Sequence, residues 1–365
     1  MKSKRRDFIK TTALAGSGAL LFGCSNNDKK EATDINMGKT YSWRMITAWP
    51  PHFPLLGEGA EQLAKNIEKM SGGRIKIQVY GGGELVPPLE TFEAVSQGVA
   101  EMGHSASYYW AGKAPAAQFF TSLPFGMNTS QMNAWLDFGG GNELWNEVYR
   151  PFNLVVFPCG NTGAQMGGWF NKEINSLSDV KGLKMRFPGI GGKVINKAGG
   201  TAVLSAGSEI YTNLERGVID ATDWIGPYHD YIMGFYEIAK YYYYPSWAEP
   251  TGVVELIINK SAYETLPDDL QQIVKEAAME ANATMLGAFK EKNAEYYIKL
   301  KNETKVEFRK FPEDVLTSFR KFAEEAIKEI TENDPLSKKV YNSYKTFHNK
   351  MYSWDSIVEE NYKPL

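Results

Sequence analysis

The feature that most constrains the fold of this chain is an alternation of strand and helix patterns that occurs twice. In its first occurrence, residues 41–49 alternate apolar and polar side chains, residues 56–70 repeat apolar residues at helical spacing, and residues 74–80 alternate again. A second helix begins at Pro87 and Pro88. Because a helix separates each strand from the next, we expect parallel strands joined by right-handed crossovers.

The same alternation restarts in the middle of the chain. Residues 183–186 form a strand pattern that leads through a glycine-rich turn into a helix, and residues 201–224 supply a further strand, helix and strand. The run from Asp268 to about Lys301 is rich in Ala, Glu, Gln and Lys and predicts one long helix. Shorter patterns predict strands at residues 154–157, 166–171 and 252–259 and helices near residues 312–331 and 335–354.

These patterns predict an α/β fold with two lobes and a cleft between them. The length of 365 residues agrees with two lobes, because it exceeds the usual size of one domain. Binding proteins that close around a hinge have this geometry. Many two-domain enzymes share it, so the fold by itself leaves the function open.

The first 23 residues have the pattern of an export signal. A basic start is followed by a short apolar stretch at residues 11–22, which is too short to cross a bilayer. Residues 4–10 (KRRDFIK) resemble the twin-arginine export motif, and residues 21–24 resemble a lipobox in which Cys24 would be acylated. The alternative is an ordinary N-terminal helix. The polar residues 24–39 that follow indicate a flexible tether.

Composition argues against several classes of protein. Forty Lys and Arg residues against 43 Asp and Glu residues give a net charge of -3, which argues against a partner of nucleic acid. Without residues 1–23 the chain carries about -7. No apolar run reaches the roughly 18 residues of a membrane-spanning helix. If Cys24 is acylated, Cys159 has no partner for a disulfide, and a small buried apolar role is favoured over a catalytic thiol.

Polar and aromatic side chains cluster in four segments that follow predicted strands. The first, residues 104–110, contains Tyr109 among aromatic residues that either cover an organic ligand or pack in the core. The second, residues 159–169, places Asn161 and Gln165 among four glycines that let a ligand approach the backbone closely. The alternative is a plain hairpin, although a turn would use fewer glycines.

The third and fourth segments contain charged side chains. Arg186 ends a strand before a glycine-rich turn, where its guanidinium could clamp a carboxylate or form a surface salt bridge. The glycines of residues 189–192 resemble a weak phosphate loop without the following Lys-Ser/Thr. Asp223 and Glu249 both follow predicted strands, and their oxygens suit hard cations such as Na⁺ or Ca²⁺.

Four ordered motifs resemble the extracytoplasmic solute-binding proteins of tripartite ATP-independent periplasmic (TRAP) transporters, the DctP-type family. They are NTGAQMGGWF, LKMRFPGIGGKV, IDATDWIGPYHDY and YYYYPSWAEP, and the resemblance covers about residues 40–350. It is strongest to the branch that binds 2-oxo acids and related monocarboxylates. The resemblance implies a two-lobed, periplasmic-binding-protein-like fold with a long connecting helix. It also implies capture of a small carboxylate for a membrane permease, without enzymatic turnover.

The resemblance implies roles for individual residues. Arg186 matches the arginine that pairs with the ligand carboxylate. The full set of expected ligand-binding residues, which are polar or aromatic, is Arg186, Gln165, Asn161, Tyr109, Trp224 and Trp247. The expected cation ligands are oxygen donors, from Gln165, Asp223, the backbone of Trp224 and Glu249.

The identity of the cation is left open between Na⁺ and Ca²⁺. Asp223 stands where many relatives have Glu, which shortens its reach by one methylene group. Asp223, Glu249, Arg186 and a monocarboxylate together carry a formal charge of -2, which is costly to bury. A divalent cation would neutralise this charge and a monovalent one would leave -1, so the count favours Ca²⁺ slightly.

The resemblance also suggests how the chain is divided. We expect lobe I at 40–158 and 247–290, lobe II at 159–246 and 291–334, a long helix shared between them, and a C-terminal extension at 335–365 that mediates dimerisation. The protein would lie in the periplasm or on the outer face of the membrane. Three alternatives stay open at this point: an exported metal-assisted hydrolase using Asp223 and Glu249, the binding protein of an ATP-driven transporter, and a ligand-sensing partner of a receptor kinase.

Overall fold

The strands pair into two separate sheets in this computed structural model, which describes residues 38–358. The predicted signal, Cys24, most of the predicted tether and residues 359–365 lie outside the described residues. In chain order the strands are β1 (Tyr41–Thr47), β2 (Ile75–Tyr80), β3 (Met102–Ser105), β4 (Leu154–Asn161), β5 (Gly168–Phe170), β6 (Lys184–Arg186), β7 (Thr201–Val203), β8 (Ala221–Thr222), β9 (Tyr241–Tyr244), β10 (Val253–Asn259) and β11 (Glu307–Lys310).

Helices connect most of these strands. In chain order they are α1 (Gly57–Met70), α2 (Thr91–Ser96), α3 (Gln118–Thr121), α4 (Thr129–Phe138), α5 (Gly141–Tyr149), α6 (Gly189–Lys197), α7 (Ile210–Glu215), α8 (Pro227–Ile232), α9 (Phe235–Ile238), α10 (Lys260–Tyr263), α11 (Asp268–Glu303), α12 (Glu313–Asn333) and α13 (Pro335–Val358). None of them combines the length and apolar character that a bilayer-crossing helix requires.

The first sheet has the strand order β2-β1-β3-β10-β4. As the alternation predicts, β1 is parallel to β2 and to β3. The sheet as a whole is mixed, because β10 is antiparallel to both of its neighbours, β3 and β4. The chain returns from the second sheet to insert β10, and it enters from the opposite end.

Helices cover both faces of the first sheet. On β10, Leu256 and Ile258 pack with α1 and α11, whereas Val253 and Ile257 pack with the cluster that includes α4, α5 and α13. All seven residues of β10 are buried, as expected for a central strand covered on both sides. Each fully buried aliphatic side chain of this kind contributes about 1.5–3 kcal/mol to the free energy of unfolding.

The second sheet has the order β11-β9-β5-β8-β6-β7 and is also mixed. Strand β6 is parallel to β7 and β8, whereas β5 is antiparallel to β8 and β9. The run of four tyrosines at β9, which suggested a buried strand, pairs with β5 and β11. Two mixed sheets, their helices and the long α11 confirm the predicted α/β class.

Three segments carry the chain between the two sheets: residues 162–167, residues 245–252 and helix α11. The first two, called here the crossover segments, are bonded to each other. Thr162 N–H donates to the carbonyl of Gly252 at 2.9 Å, and Gln165 N–H donates to that of Glu249 at 3.2 Å. These bonds bring together residues that lie more than eighty positions apart in the sequence.

Several predicted elements shift at their ends. The glycine-rich residues 189–192, expected to form a turn like a phosphate loop, are instead the first turn of α6. Gly191 and Gly192 lie against the ring and the carbonyl of Phe187, where a Cβ atom would collide. Helices α4 and α5 were not predicted. Residues from Thr40 onward cluster as one compact unit, and the proposed boundaries between lobes stay predictions.

Candidate functional site

Arg186 lies at the end of β6 with only 1% of its side-chain surface exposed. Its Nη1 donates to the carbonyl of Asp223 at 3.0 Å and its Nε to the carbonyl of Ser205 at 3.3 Å. The guanidinium also lies 5.3 Å from the ring centroid of Trp224. Its Nη2 donates to the hydroxyl of Tyr109 over 3.4 Å, a long contact. These hydrogen-bond partners are neutral, so the positive charge of the buried guanidinium is available to an incoming anion.

Three oxygen atoms near Arg186 are buried and have no hydrogen-bond partner: Oε1 of Gln165, Oδ2 of Asp223 and Oε2 of Glu249. Gln165 and Glu249 lie on the two crossover segments, and Asp223 directly follows β8. A buried acceptor without a partner costs about 1–3 kcal/mol, and more when it is charged. Carboxylate and amide oxygens are the donors that Na⁺ and Ca²⁺ prefer, so this set fits a hard cation.

The two carboxyl groups influence each other strongly. Burial raises the pKa of Asp223 to about 8, although the charge of Arg186 opposes this shift. Burial, and next the charge of Asp223, raise the pKa of Glu249 well above its ordinary value. Both groups therefore resist carrying negative charge together unless a positive charge compensates them. Within residues 38–358, no group of three or more His, Cys, Asp or Glu side chains forms a metal site, so a cation here would also need amide or backbone oxygens.

A small cavity adjoins these residues and is mostly apolar and aromatic. Its lining comes from β10, from loops and short helical turns beside the first sheet, from the crossover segments and from the loop after β8. It consists of Trp49, Leu56, Ala106, Tyr108, Tyr109, Thr121, Thr162, Gln165, Trp224, Ile225, Gly252, Val253 and Val254. Gly252 is required by its surroundings, because a Cβ atom there would lie 2.5 Å from Nε2 of Gln165. The site combines the guanidinium of Arg186, the carboxyl groups of Asp223 and Glu249, and a mainly hydrophobic cover, which together suit a small amphipathic anion.

The structure brings most of the predicted site residues together. Arg186, Tyr109 and Trp224 are in mutual contact through the guanidinium. Gln165 is a neighbour of Glu249, because its backbone N–H donates to the Glu249 carbonyl at 3.2 Å. The indole Nε1 of Trp224 is buried without a hydrogen-bond partner, so it is a further donor that a ligand could use.

Two predicted ligand-binding residues, Asn161 and Trp247, lie outside the cavity lining. Oδ1 of Asn161 accepts from Gly163 N–H at 2.9 Å and from the Thr251 hydroxyl at 3.0 Å, and Nδ2 donates to Asn133 at 3.1 Å. Asn161 thus links the two crossover segments through hydrogen bonds. Trp247 packs 5.4 Å from the Phe187 ring, outside the cavity lining. Contributions of Asn161 and Trp247 to ligand binding stay predictions.

Sequence reasoning missed two buried residues, one that lines the cavity and one that lies outside its lining in the first sheet. Trp49, which follows β1, lines the cavity and donates from Nε1 to Nδ1 of His104 at 2.8 Å. Its position after a strand was a usable signal. Glu255 on β10 is fully buried and accepts from the side chains of Ser105, Trp110 and Tyr149 at 2.6–2.7 Å. Nothing in the local sequence distinguishes it from a surface glutamate.

Comparisons with known proteins agree with this geometry. The family model DctP, described as bacterial extracellular solute-binding protein, family 7, matches residues 47–334. A monocarboxylate 2-oxoacid-binding periplasmic protein of Nostoc sp. is 40% identical over 364 residues, covering 99% of this chain and 98% of that protein. These two matches confirm the resemblance that the four motifs carry.

Solved structures of TRAP solute-binding proteins superimpose closely. One from Pseudoalteromonas atlantica T6c, with bound sodium and pyruvate, is 39% identical at a TM-score of 0.86 and covers 89% of this chain and 100% of its own. Another from Bordetella bronchiseptica RB50, a mixed-occupancy dimer with calcium and picolinate, is 37% identical at 0.86 and covers 88% and 96%.

The relatives are named as binding proteins, which confirms the prediction of a solute-binding protein and rules against the hydrolase alternative. The structural matches to TRAP proteins also favour a TRAP system over an ATP-driven transporter. Because the family model spans most of the chain and the identity extends over nearly its full length, this chain belongs to the DctP family of solute-binding proteins of TRAP transporters.

Proposed function

We propose that this protein captures a short monocarboxylate with a second donor atom next to the carboxyl group, such as pyruvate or another 2-oxo acid, together with Na⁺ or Ca²⁺. The ligands of its relatives, pyruvate and picolinate, share this feature. In each, the carboxylate and the adjacent oxo oxygen or ring nitrogen can chelate one cation. The protein then delivers the solute to the permease of a TRAP transporter.

Arg186 is proposed to hold the ligand carboxylate. Its guanidinium is planar and already oriented by two backbone carbonyls, so little side-chain entropy remains to be lost on binding. Its weakest contact, over 3.4 Å to the Tyr109 hydroxyl, leaves Nη2 able to donate to a carboxylate oxygen. Trp224 would add its unused indole N–H.

The cation is proposed to be held by Gln165, Asp223, Glu249 and the backbone of Trp224. When bound, it would neutralise the two carboxylates and attract the carboxylate and 2-oxo oxygens of the ligand. The single observation that carries this proposal is a set of three buried oxygens, none of which accepts a hydrogen bond from an N–H or hydroxyl group of the described residues.

Titration calorimetry tests this proposal directly. Protein freed of cations by a chelator should bind pyruvate weakly, and added Na⁺ or Ca²⁺ should strengthen binding at least about tenfold. Glu249→Gln should weaken this cation dependence, whereas Glu264→Gln, at a surface carboxylate paired with Lys260, should leave it unchanged. If no 2-oxo or 2-hydroxy monocarboxylate binds with either cation, the proposed ligand class is wrong.

We further propose export by the twin-arginine signal into the periplasm, acylation at Cys24, and a homodimer formed through the C-terminal extension. Support for the dimer comes from apolar side chains exposed near the end of α13, where Tyr352 and Trp354 are 56% and 59% exposed, and from Phe138, which is 87% exposed. Multi-angle light scattering should report a dimer that Trp354→Asp converts to a monomer. Mass spectrometry of the mature protein would reveal a lipid at Cys24.

A further inference from the structure

Asp230 on α8 is a buried carboxylate to which neither the sequence nor the proposed ligand assigns a role. Only 1% of it is exposed, and four neutral donors surround it. Oδ1 accepts from the backbone N–H groups of Ile225 at 3.3 Å and Gly226 at 3.2 Å. Oδ2 accepts from Nε1 of Trp169 at 2.9 Å and from the hydroxyl of Tyr242 at 2.6 Å.

The Oδ2 atom of Asp230 bonds to two strands of the second sheet, whereas Oδ1 bonds to the loop between β8 and α8. Trp169 on β5 and Tyr242 on β9 are paired neighbours whose rings stack at a centroid distance of 4.0 Å. Both rings are fully buried, so Oδ2 is attached to a rigid part of the core. Oδ1 instead accepts from two successive backbone N–H groups of the irregular loop between β8 and α8.

That loop carries the candidate cation donors. Asp223 and Trp224 directly precede Ile225, and the Ile225 carbonyl accepts from Met166 N–H at 2.9 Å. Met166 follows Gln165, so the same loop also sets the position of the Gln165 donor. Asp230 therefore connects the rigid ring pair to three of the four proposed donors without contacting a ligand itself.

We infer that Asp230 is a positioning residue, which holds the loop of residues 223–226 so that the oxygens of Gln165, Asp223 and Trp224 converge on one cation. This inference rests on the proposed function. A carboxylate is required because it can accept all four hydrogen bonds. An asparagine has one acceptor oxygen and would direct its N–H₂ group against either the two backbone N–H groups or the indole N–H of Trp169.

The test compares Asp230→Asn with Glu255→Gln, an equally conservative change at a buried carboxylate of the first sheet. The Kd for pyruvate is measured by calorimetry over a series of Ca²⁺ and Na⁺ concentrations, and amide hydrogen exchange is followed in cation-free protein. Asp230→Asn should weaken the apparent cation affinity roughly 10–100-fold and accelerate exchange of the Ile225 and Gly226 amides. Glu255→Gln should change neither.

A milder variant protects the test against loss of folding. Tyr242→Phe removes one donor to Oδ2 with almost no change of volume, and it should weaken the cation affinity in the same direction by a smaller factor. Unchanged cation affinity in folded Asp230→Asn, or an equal loss in Glu255→Gln, would overturn the positioning role alone. Failure of the unaltered protein to bind any carboxylate with either cation would overturn the proposed function and, with it, this inference.

Discussion

The two sides of the candidate site hold their side chains in different ways. On the second-sheet side, Arg186 and Asp223 are joined by reciprocal bonds: Asp223 N–H donates to the Arg186 carbonyl at 3.1 Å, and Arg186 Nη1 donates to the Asp223 carbonyl at 3.0 Å. On the first-sheet side, Tyr108 and Tyr109 lie on a single 3-10 turn, Ser107–Trp110, and meet the ligand cavity with aromatic rings. Backbone hydrogen bonds therefore hold the charged residues of the second-sheet side, whereas the packing of aromatic rings holds the first-sheet side.

The contacts between the tyrosines and the elements that carry Arg186 are weak by comparison. The hydrogen bond from Arg186 to Tyr109 spans 3.4 Å, and Tyr108 packs against Gly189 at the start of α6. A ligand held by Arg186 and covered by the tyrosines would add contacts to both sides at once. The difference suggests that the second-sheet side determines whether a carboxylate binds and the first-sheet side adjusts how tightly it is enclosed.

The largest loss of affinity is expected for Arg186→Lys, which keeps the charge and removes the planar fork. We expect carboxylate affinity to fall at least about 100-fold, because a lysine ammonium cannot reproduce the two parallel donors that a buried guanidinium offers to a carboxylate. The matched control is Arg320→Lys, which alters an arginine stacked on Phe125 instead of one in the site. Calorimetry with pyruvate measures both. A change of less than threefold for Arg186→Lys would show that the fork is not the carboxylate anchor.

Glu255, which lies in the first sheet outside the cavity lining, should make the stability of the fold depend on pH. Burial raises its pKa from 4.5 to about 7, so between those pH values the folded state retains a proton that the unfolded chain releases. The free energy of unfolding should therefore fall as the pH rises through this window, by at most about 3 kcal/mol.

Urea unfolding at about pH 5 and about pH 8 checks this slope. In Glu255→Gln the group no longer titrates, so this part of the pH dependence should disappear. If the variant and the unaltered protein show the same pH dependence, Glu255 is already ionised in the folded state at neutral pH.

Local patterns in the sequence predicted the elements with strong periodicity. Strand β1, helix α1 and strand β2 follow from alternation and helical spacing, and the long α11 follows from its composition. The insertion of β10 between β3 and β4 was not predictable, because strand order depends on contacts distant in sequence. Helix α4 was missed although Asn128 and Gln131 form a capping box at its start.

The site residues also divide into those that local sequence indicates and those that only tertiary contacts reveal. Arg186, Asp223 and Glu249 stood out because charged residues follow strands at the edge of a sheet. Asp230 and Glu255 could not be recognised, since their donors come from other elements and only the fold assembles them. Asn161 illustrates a further limit: its place in the chain was apparent, but the direction of its amide toward Asn133 and Thr251 depends on tertiary packing.

A smaller change tests the crossover segments that join the two sides. In Gly252→Ala the new Cβ would collide with Thr162 and approach Nε2 of Gln165 to 2.5 Å, so the Gln165 amide must move. Such overpacking costs about 1–3 kcal/mol, and we expect a loss of cation-dependent affinity of roughly tenfold. Gly287→Ala on α11, where a Cβ would meet open space, is the control and should bind normally. Equal affinities would mean that Gln165 is not a cation donor.

The hydroxyl of Tyr109 reaches from the first-sheet side to Arg186, and its removal should have the mildest effect on affinity. Tyr109→Phe removes only the hydroxyl that accepts the long hydrogen bond from Arg186, and the ring that lines the cavity remains. Because this bond is long, we expect it to contribute about 0.5–1.5 kcal/mol, less than a well-aligned bond from a charged donor, so pyruvate affinity should fall by only about two- to tenfold. Tyr297→Phe, at a tyrosine 41% exposed on α11, is the matched control. A loss for Tyr109→Phe as large as that for Arg186→Lys would reverse the argument, because the hydroxyl would then be an anchor equal to the guanidinium and the two sides would share recognition of the carboxylate.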